Sequence, residues 1–366
     1  MTTSNKNLIF LGTYKTDKIY TDFSQNANQH MLITGATGTG KTNFIKILVD
    51  QNLNRQTTIL DYSGSFPNLR NANTIHILQT AEIREFFNDL SQKNIPIFAD
   101  AIQAAWRFGL AQQSVVAKAL HILNDSSSKE LESIVSDAGE DIFAPYIEYK
   151  NNSVKKDWAL LALILNTKCG SKGEQIATRM LNIVNAISLN NVCVKHTETS
   201  PVTVIHFSVK YYSLNSQLAE LYLWKFWLNH LDSNTPSTLI LDECQDLEWK
   251  KGTIADRLLS EGRKFGIGII LSTQFLASNF PKRTINDFLQ SGLRVIFSPS
   301  QGEVKEIAQS LNAGNYKPWV SNLKRLRVGE CVVSGMLYRK EYRSKQILII
   351  SVPNYEQFEN IPLNQN

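Results

Sequence analysis

The chain has 366 residues, 43% of them hydrophobic, and 38 Lys and Arg stand against 33 Asp and Glu for a net charge of +5. This length and apolar content suit one large or two small globular domains with a sizeable core, and no run approaches the roughly 18 apolar residues of a membrane-crossing helix. Cys169, Cys193, Cys244 and Cys331 are scattered without a C-x-x-C pair and the six histidines are dispersed, so neither a disulfide framework nor a zinc site is indicated.

Met1 to Asn7 lacks the apolar core of a signal peptide, so the expected location is the cytoplasm, with no membrane partner. Residues 1–30 hold one short apolar run, Leu8 to Leu11, read as one or two strands of a short N-terminal β extension. From His30 the pattern is specific. The apolar run Met31 to Ile33 enters Gly35-Ala-Thr-Gly-Thr-Gly-Lys-Thr42, and a helix-patterned segment with Phe44, Ile45, Leu48 and Val49 follows. That is a G-x-x-x-x-G-K-T phosphate-binding loop between a strand and a helix. Gly35, Gly38 and Gly40 let the backbone take positive φ and turn its N–H groups onto a phosphate chain at a helix N-terminus that favours anions. Ala36, Thr37, Thr39 and Asn43 complete the cradle, Lys41 reaches the β- and γ-phosphates, and the Thr42 hydroxyl ligates Mg²⁺. The expected cofactors are ATP and Mg²⁺.

Thr57 to Asp61 reads as a second core strand ending in an acid, where Asp61 either faces the ligand at the carboxyl end of the sheet or caps the Tyr-Ser-Gly-Ser turn. Thr74 to Leu78 is another short strand. Residues 80–200 change character, with helical spacing in Ala101 to Trp106, Val115 to Leu123, Trp158 to Leu165 and Ile176 to Ile187, and read as a mostly helical insertion. The α/β pattern resumes at 201 with the strand Val202 to Phe207 and an amphipathic helix from Leu214 to Leu231.

Ser237-Thr-Leu-Ile-Leu-Asp242-Glu243 is an apolar strand ending in two acids, the Walker B pattern. Asp242 holds the Mg²⁺ shell and Glu243 orients and deprotonates the attacking water. The strand Ile267 to Gln274 ends on a polar tip where Gln274 either bonds the γ-phosphate or lytic water or caps the strand. Residues 31–79 and 201–335 are thus read as one α/β core with a mostly parallel sheet, and 336–366 as a C-terminal extension. Charge is uneven along this order. Residues 249–350 hold 17 Lys and Arg against 7 Asp and Glu, whereas 80–150 hold 6 against 11. Such a field suits a polyanion as well as a solvated surface. The loop Trp249-Lys250-Lys251-Gly252 is the first candidate for phosphate contacts, with Lys282 and Arg283 behind it.

The P-loop, Asp61, Leu239-Ile-Leu-Asp-Glu243, Glu261-Gly-Arg-Lys-Phe-Gly-Ile-Gly-Ile-Ile-Leu-Ser-Thr-Gln274 and Val328-Gly-Glu-Cys-Val-Val333 together resemble the HerA/FtsK superfamily of DNA-translocating ATPases, in its HerA-like branch. The resemblance implies a RecA-like core, a ring of subunits, commonly six, with ATP between neighbours, and double-stranded DNA moved through the centre. It also implies an N-terminal β-barrel, which 30 residues do not supply, and work beside a nuclease or another effector, as in restriction or anti-phage systems. Arg263, in the family block, is the candidate for a cation supplied to the neighbouring subunit's site, the alternative being an ion pair with Glu261 or Asp256. A ring that binds ATP and serves as scaffold or switch for an effector, without translocation, is the second reading.

Overall fold

A computed structural model describes residues 8–22, 28–51, 55–67, 69–70, 72–189, 200–207, 212–231, 235–340 and 342–358. Cys193 and parts of the expected terminal extensions, 1–7 and 359–366, lie outside the described residues. The strands are β1 (Ile9–Tyr14), β2 (Asp17–Thr21), β3 (Met31–Thr34), β4 (Gln56–Asp61), β5 (Ala72–His76), β6 (Tyr149–Lys150), β7 (Ser153–Val154), β8 (Val202–His206), β9 (Ser237–Leu241), β10 (Ile267–Thr273), β11 (Leu293–Ile296), β12 (Glu330–Arg339) and β13 (Tyr342–Ser351). Two compact units result: residues 1–74, 198–206 and 233–366 form one, and 75–197 with 207–232 form the other.

The first unit is built on a sheet of order β13-β1-β2-β12-β11-β3-β10-β9-β4-β8-β5. From β11 to β8 every pairing is parallel. Strands buried on both faces read as near-continuous apolar runs, and β3, β9 and β10 are buried at every position. The strand that feeds the P-loop, β3, lies between β10 and β11, and helix α1 (Lys41–Asp50) packs Phe44, Ile45 and Leu48 into the same core as Met31, Ile240 and Val295. Because the neighbouring strands run parallel to β3, the residues that follow β4, β9 and β10 all emerge at the P-loop end of the sheet.

At the other side of the sheet the strands turn antiparallel. β12 pairs with β11, β13 and β2, and β13 pairs also with β1, so β13-β1-β2-β12 close on themselves. The first thirty residues do not make a barrel alone. They contribute two strands, and the segment from Glu330 to Ser351 contributes the other two. The helix Lys317–Arg325, which carries Pro at its start, was not among the expected elements.

The second unit is helical, apart from the small β6–β7 hairpin. Its Trp158–Lys168 helix is apolar around its whole circumference from Trp158 to Leu165, which requires burial on all sides. Asp157 caps it by accepting from the Leu160 amide at 3.0 Å, and Trp158 Nε1 donates to Ile83 O at 2.8 Å. The helix Tyr212–Leu231, expected in the core, clusters with this unit instead. Its Lys225 is buried and donates to Asp89 at 2.6 Å and to Phe86 O at 3.2 Å. An amphipathic pattern states that a helix buries one face, not against which partner.

Candidate nucleotide and hydrolysis site

The loop from Thr34 to Lys41 is held from outside, which shapes it. Phe297 N donates to Thr34 O and Ala36 N to Ser298 O, both at 2.8 Å, while Gly329 N donates to Thr39 O at 3.0 Å. Gly35, Gly38 and Gly40 sit at φ 153, 77 and 120°. A Cβ at Gly35 would stand 2.6 Å from the Cβ of buried Phe297, so both the backbone conformation and the space demand glycine there. Gly40 is the residue from which α1 departs. Lys41, only 6% exposed, donates from Nζ to Gly35 O at 2.7 Å and Ala36 O at 3.3 Å. Burial pushes its ammonium pKa down, and the nearby Glu243 and Asp242 carboxylates pull it back up.

The acids come from strands adjacent in the sheet. Asp242, just past β9, is 2% exposed and accepts from Ser63 Oγ at 3.2 Å. Burial, then the charges of Glu243 and Asp61, push its pKa up to about 6. A carboxylate whose ionised form is penalised in this way is a place where a cation is favourable. Thr42, in the first turn of α1, offers a hydroxyl oxygen. Among the described residues no group of three or more His, Cys, Asp or Glu forms a self-sufficient metal cage. One carboxylate and one hydroxyl are nonetheless the hard oxygen donors with which Mg²⁺, keeping waters and phosphate oxygens, is content.

Glu243 holds a left-handed backbone, φ 50 and ψ 49°, a conformation that costs a non-glycine residue roughly 1 to 3 kcal/mol and is characteristic of functional positions. Its two carboxylate oxygens are each gripped by a glutamine: Gln274 Nε2 donates to Oε1 at 2.8 Å and Gln245 Nε2 to Oε2 at 2.6 Å. The glutamine carbonyls accept in turn, Gln274 from Thr37 Oγ1 at 2.7 Å and Gln245 from Thr273 Oγ1 at 2.9 Å. An unbroken polar chain therefore runs Thr37, Gln274, Glu243, Gln245, Thr273, joining the P-loop to the ends of β9 and β10. Gln245 and Thr273 were not singled out in the sequence. Each stands one or two residues from a residue that was, inside the same polar strand end.

Other expected site residues are placed differently. Asp61 accepts from the Ser65 and Phe66 amides at 2.9 and 3.2 Å and lies 3.8 Å from His206, so its oxygens organise the turn beside Asp242. Asn43 is turned away from any cradle role in this structure: its Nδ2 donates to Pro353 O and its Oδ1 accepts from Tyr355 N, both at 2.8 Å. Arg263 precedes β10, at the opposite end of that strand from Gln274. Seven strand residues at about 3.3 Å each separate the two by roughly 23 Å, which takes Arg263 out of reach of the P-loop of the same chain. Lys251 is exposed in the loop after Walker B, and Lys250 pairs with Glu248 at 2.5 Å. Trp249 anchors that loop by donating to Cys244 O at 2.7 Å and packing on Phe288. Lys282 is exposed, and Arg283 pairs with Asp256 at 3.4 Å.

Residues 9–159, which contain the P-loop, match the family model for the central domain of helicase HerA. The fold is similar to VirB4 of Thermoanaerobacter pseudethanolicus, 12% identical over 98% of each chain with a TM-score of 0.64. It is also similar to the bacterial conjugative coupling protein TrwB, 15% identical over 88% of this chain and 85% of that one with a TM-score of 0.55. TrwB in complex with ADP and Mg²⁺ aligns over 89% of this chain and 85% of that one, at 14% identity and a TM-score of 0.53. No curated protein matches the chain by sequence. Among the described residues no helix is long and apolar enough to cross a membrane. The match to the HerA central domain thus covers the P-loop and its flanking elements, under half of the chain, and the parallel sheet around the P-loop strand is a fold shared with VirB4 and TrwB.

Proposed function

We propose that this chain is an ATPase motor that moves double-stranded DNA, working as a ring of identical subunits with ATP bound between neighbours. Bound Mg²⁺-ATP supplies the phosphoryl group to be transferred, and the chain supplies everything that positions it. Lys41, now on the Gly35 and Ala36 carbonyls, would serve the β- and γ-phosphates, and Thr42 and Asp242 would hold Mg²⁺. Glu243 orients the attacking water and accepts its proton, and Gln274 stands where the γ-phosphate end is sensed. Arg263, too far from its own site, is offered to the next subunit.

The observation that carries this reading is the Thr37–Gln274–Glu243–Gln245–Thr273 chain. A group bound at the P-loop competes for Thr37 and Gln274, and releasing Gln274 changes what holds the catalytic acid and the ends of β9 and β10. Nucleotide state is thereby coupled to the strand ends from which the Lys250–Lys251 loop follows, as a motor requires. The accompanying nuclease or effector rests on the family resemblance alone. The test is the rate of ATP hydrolysis with and without linear duplex DNA, alongside the native mass. A ring mass and a DNA-stimulated rate support the motor, and replacing Lys250 and Lys251 by Ala reduces the stimulation. A rate indifferent to DNA favours the scaffold reading.

A further inference from the structure

The four strands that close at the far side of the sheet end in two hairpin turns, and both carry the wrong residue for their backbone. Lys15 joins β1 to β2 at φ 56°, and Lys340 leads from β12 towards β13 at φ 54°. Short hairpin turns that need positive φ strongly prefer Asn, Asp or Gly, and a lysine there gives up stability. When local preference is overruled twice at one place, a use for the side chain is the physical expectation. Nor do these lysines stand alone. Lys18, Arg339, Arg343 and Lys345 lie on the same strands, making six cations with Asp17 as the acid at this end of those strands among the described residues.

The cluster is braced. Arg339 Nη2 lies 2.6 Å from Asp17 and Lys340 Nζ 3.5 Å from the same carboxylate, which the Arg339 hydrogen bond holds below its ordinary pKa. The Tyr14 ring lies under both Arg339 (5.0 Å) and Lys15 (5.6 Å), and Arg343 sits 5.6 Å from the ring of its cross-strand partner Tyr338. Tyr342 is 76% exposed beside them. Asp17 braces Arg339 and Lys340 and the rings orient their neighbours, and gathering this much like charge on two turns is self-repulsive unless a polyanion is near. Lys340 stands at the far end of β12 from Glu330, which follows the Gly329 that donates to Thr39 O.

We infer that this double-hairpin tip is a second nucleic-acid contact that tracks the phosphate backbone of duplex DNA. The inference rests on the motor reading above. Arg343 and Lys345, two residues apart on one strand face, stand about 6.8 Å apart along the strand, so the charges form a line and not a pocket for a single anion. Phosphate contacts of this kind fix position without reading sequence.

The test is duplex binding by the full chain, measured by fluorescence anisotropy between about 50 and 200 mM salt. Replacing Lys340, Arg343 and Lys345 by Ala together lowers the slope of log affinity against log salt by about 2 to 3. Hydrolysis without DNA stays at the wild-type rate, which shows the unit is folded. The charge-preserving variant Arg343→Lys with Lys345→Arg keeps the wild-type slope. Wild-type affinity and slope in the triple-Ala protein overturn the proposal and leave the motor reading standing. Loss of binding in the charge-preserving variant overturns it too, as a packing effect. A wild-type protein that binds vesicles of anionic lipid through these residues, but no duplex, removes both readings.

Discussion

Lowering the pH acts on this fold through His30. The imidazole is 4% exposed at the entry to β3, its Nδ1 accepts from the Ile269 amide at 3.1 Å, and its Nε2 lies 3.0 Å from Leu259 O. Because Nδ1 must accept, the proton of the neutral ring sits on Nε2 and donates to Leu259; a second proton at Nδ1 would face the Ile269 N–H. Burial lowers the pKa to about 4, the Leu259 carbonyl opposes this, and the charge of Arg263 adds to the lowering. In the unfolded chain a histidine titrates near 6.5. Between these values the unfolded state binds a proton that the folded state does not, so stability is fully present above about pH 6.5 and falls as pH drops towards 4. At about 1.36 kcal/mol per unit the loss is roughly 2 kcal/mol by pH 5 and about 3 kcal/mol in the limit. Urea unfolding of wild type and His30→Asn at pH 7 and pH 5 measures it: the wild-type midpoint falls further on acidification by an amount worth about 2 kcal/mol. The same pH dependence in both proteins refutes the reasoning.

Lys41→Ala abolishes nucleotide binding or turnover, whereas Glu243→Gln keeps ATP binding and loses turnover by about 100-fold or more, because one group acts on the bound state and the other on the chemical step. Equilibrium ATP binding with single-turnover rates separates them, and full turnover in Glu243→Gln removes that residue from its role. For Arg263, the Arg263→Ala and Lys41→Ala proteins are each inactive, and mixed rings regain part of the activity. In such rings a Lys41→Ala subunit lends its arginine to the intact P-loop of an Arg263→Ala neighbour. No recovery after verified subunit exchange argues for a structural role.

How much of this was legible in the chain depends on how local each feature is. The P-loop, the two acids after β9 and Gln274 are fixed by spacing within single strand–turn segments, and the sheet brings these three segments to one end because β3, β9 and β10 are parallel neighbours. The glutamine clamp on Glu243 was not legible, since the contact from Gln245 to Thr273 exists only once β9 and β10 lie side by side. Asn43 matched the P-loop by position, yet it is engaged by Pro353 and Tyr355, some three hundred residues away. The closure of β13-β1-β2-β12 was not legible for a similar reason: two of these strands come from residues 9–21 and two from 330–351. The location of Arg263 could have been foreseen, because a segment preceding a parallel strand emerges opposite the segments that follow its neighbours.

The central claim is that ATP turnover drives movement along duplex DNA. The most direct measurement is displacement of a third strand from a triplex placed on a linear duplex, which a protein releases only by travelling through it. The account predicts release that requires ATP, fails in Glu243→Gln and occurs on duplex of arbitrary sequence. Undiminished ATP hydrolysis in the presence of the duplex without strand release would contradict it.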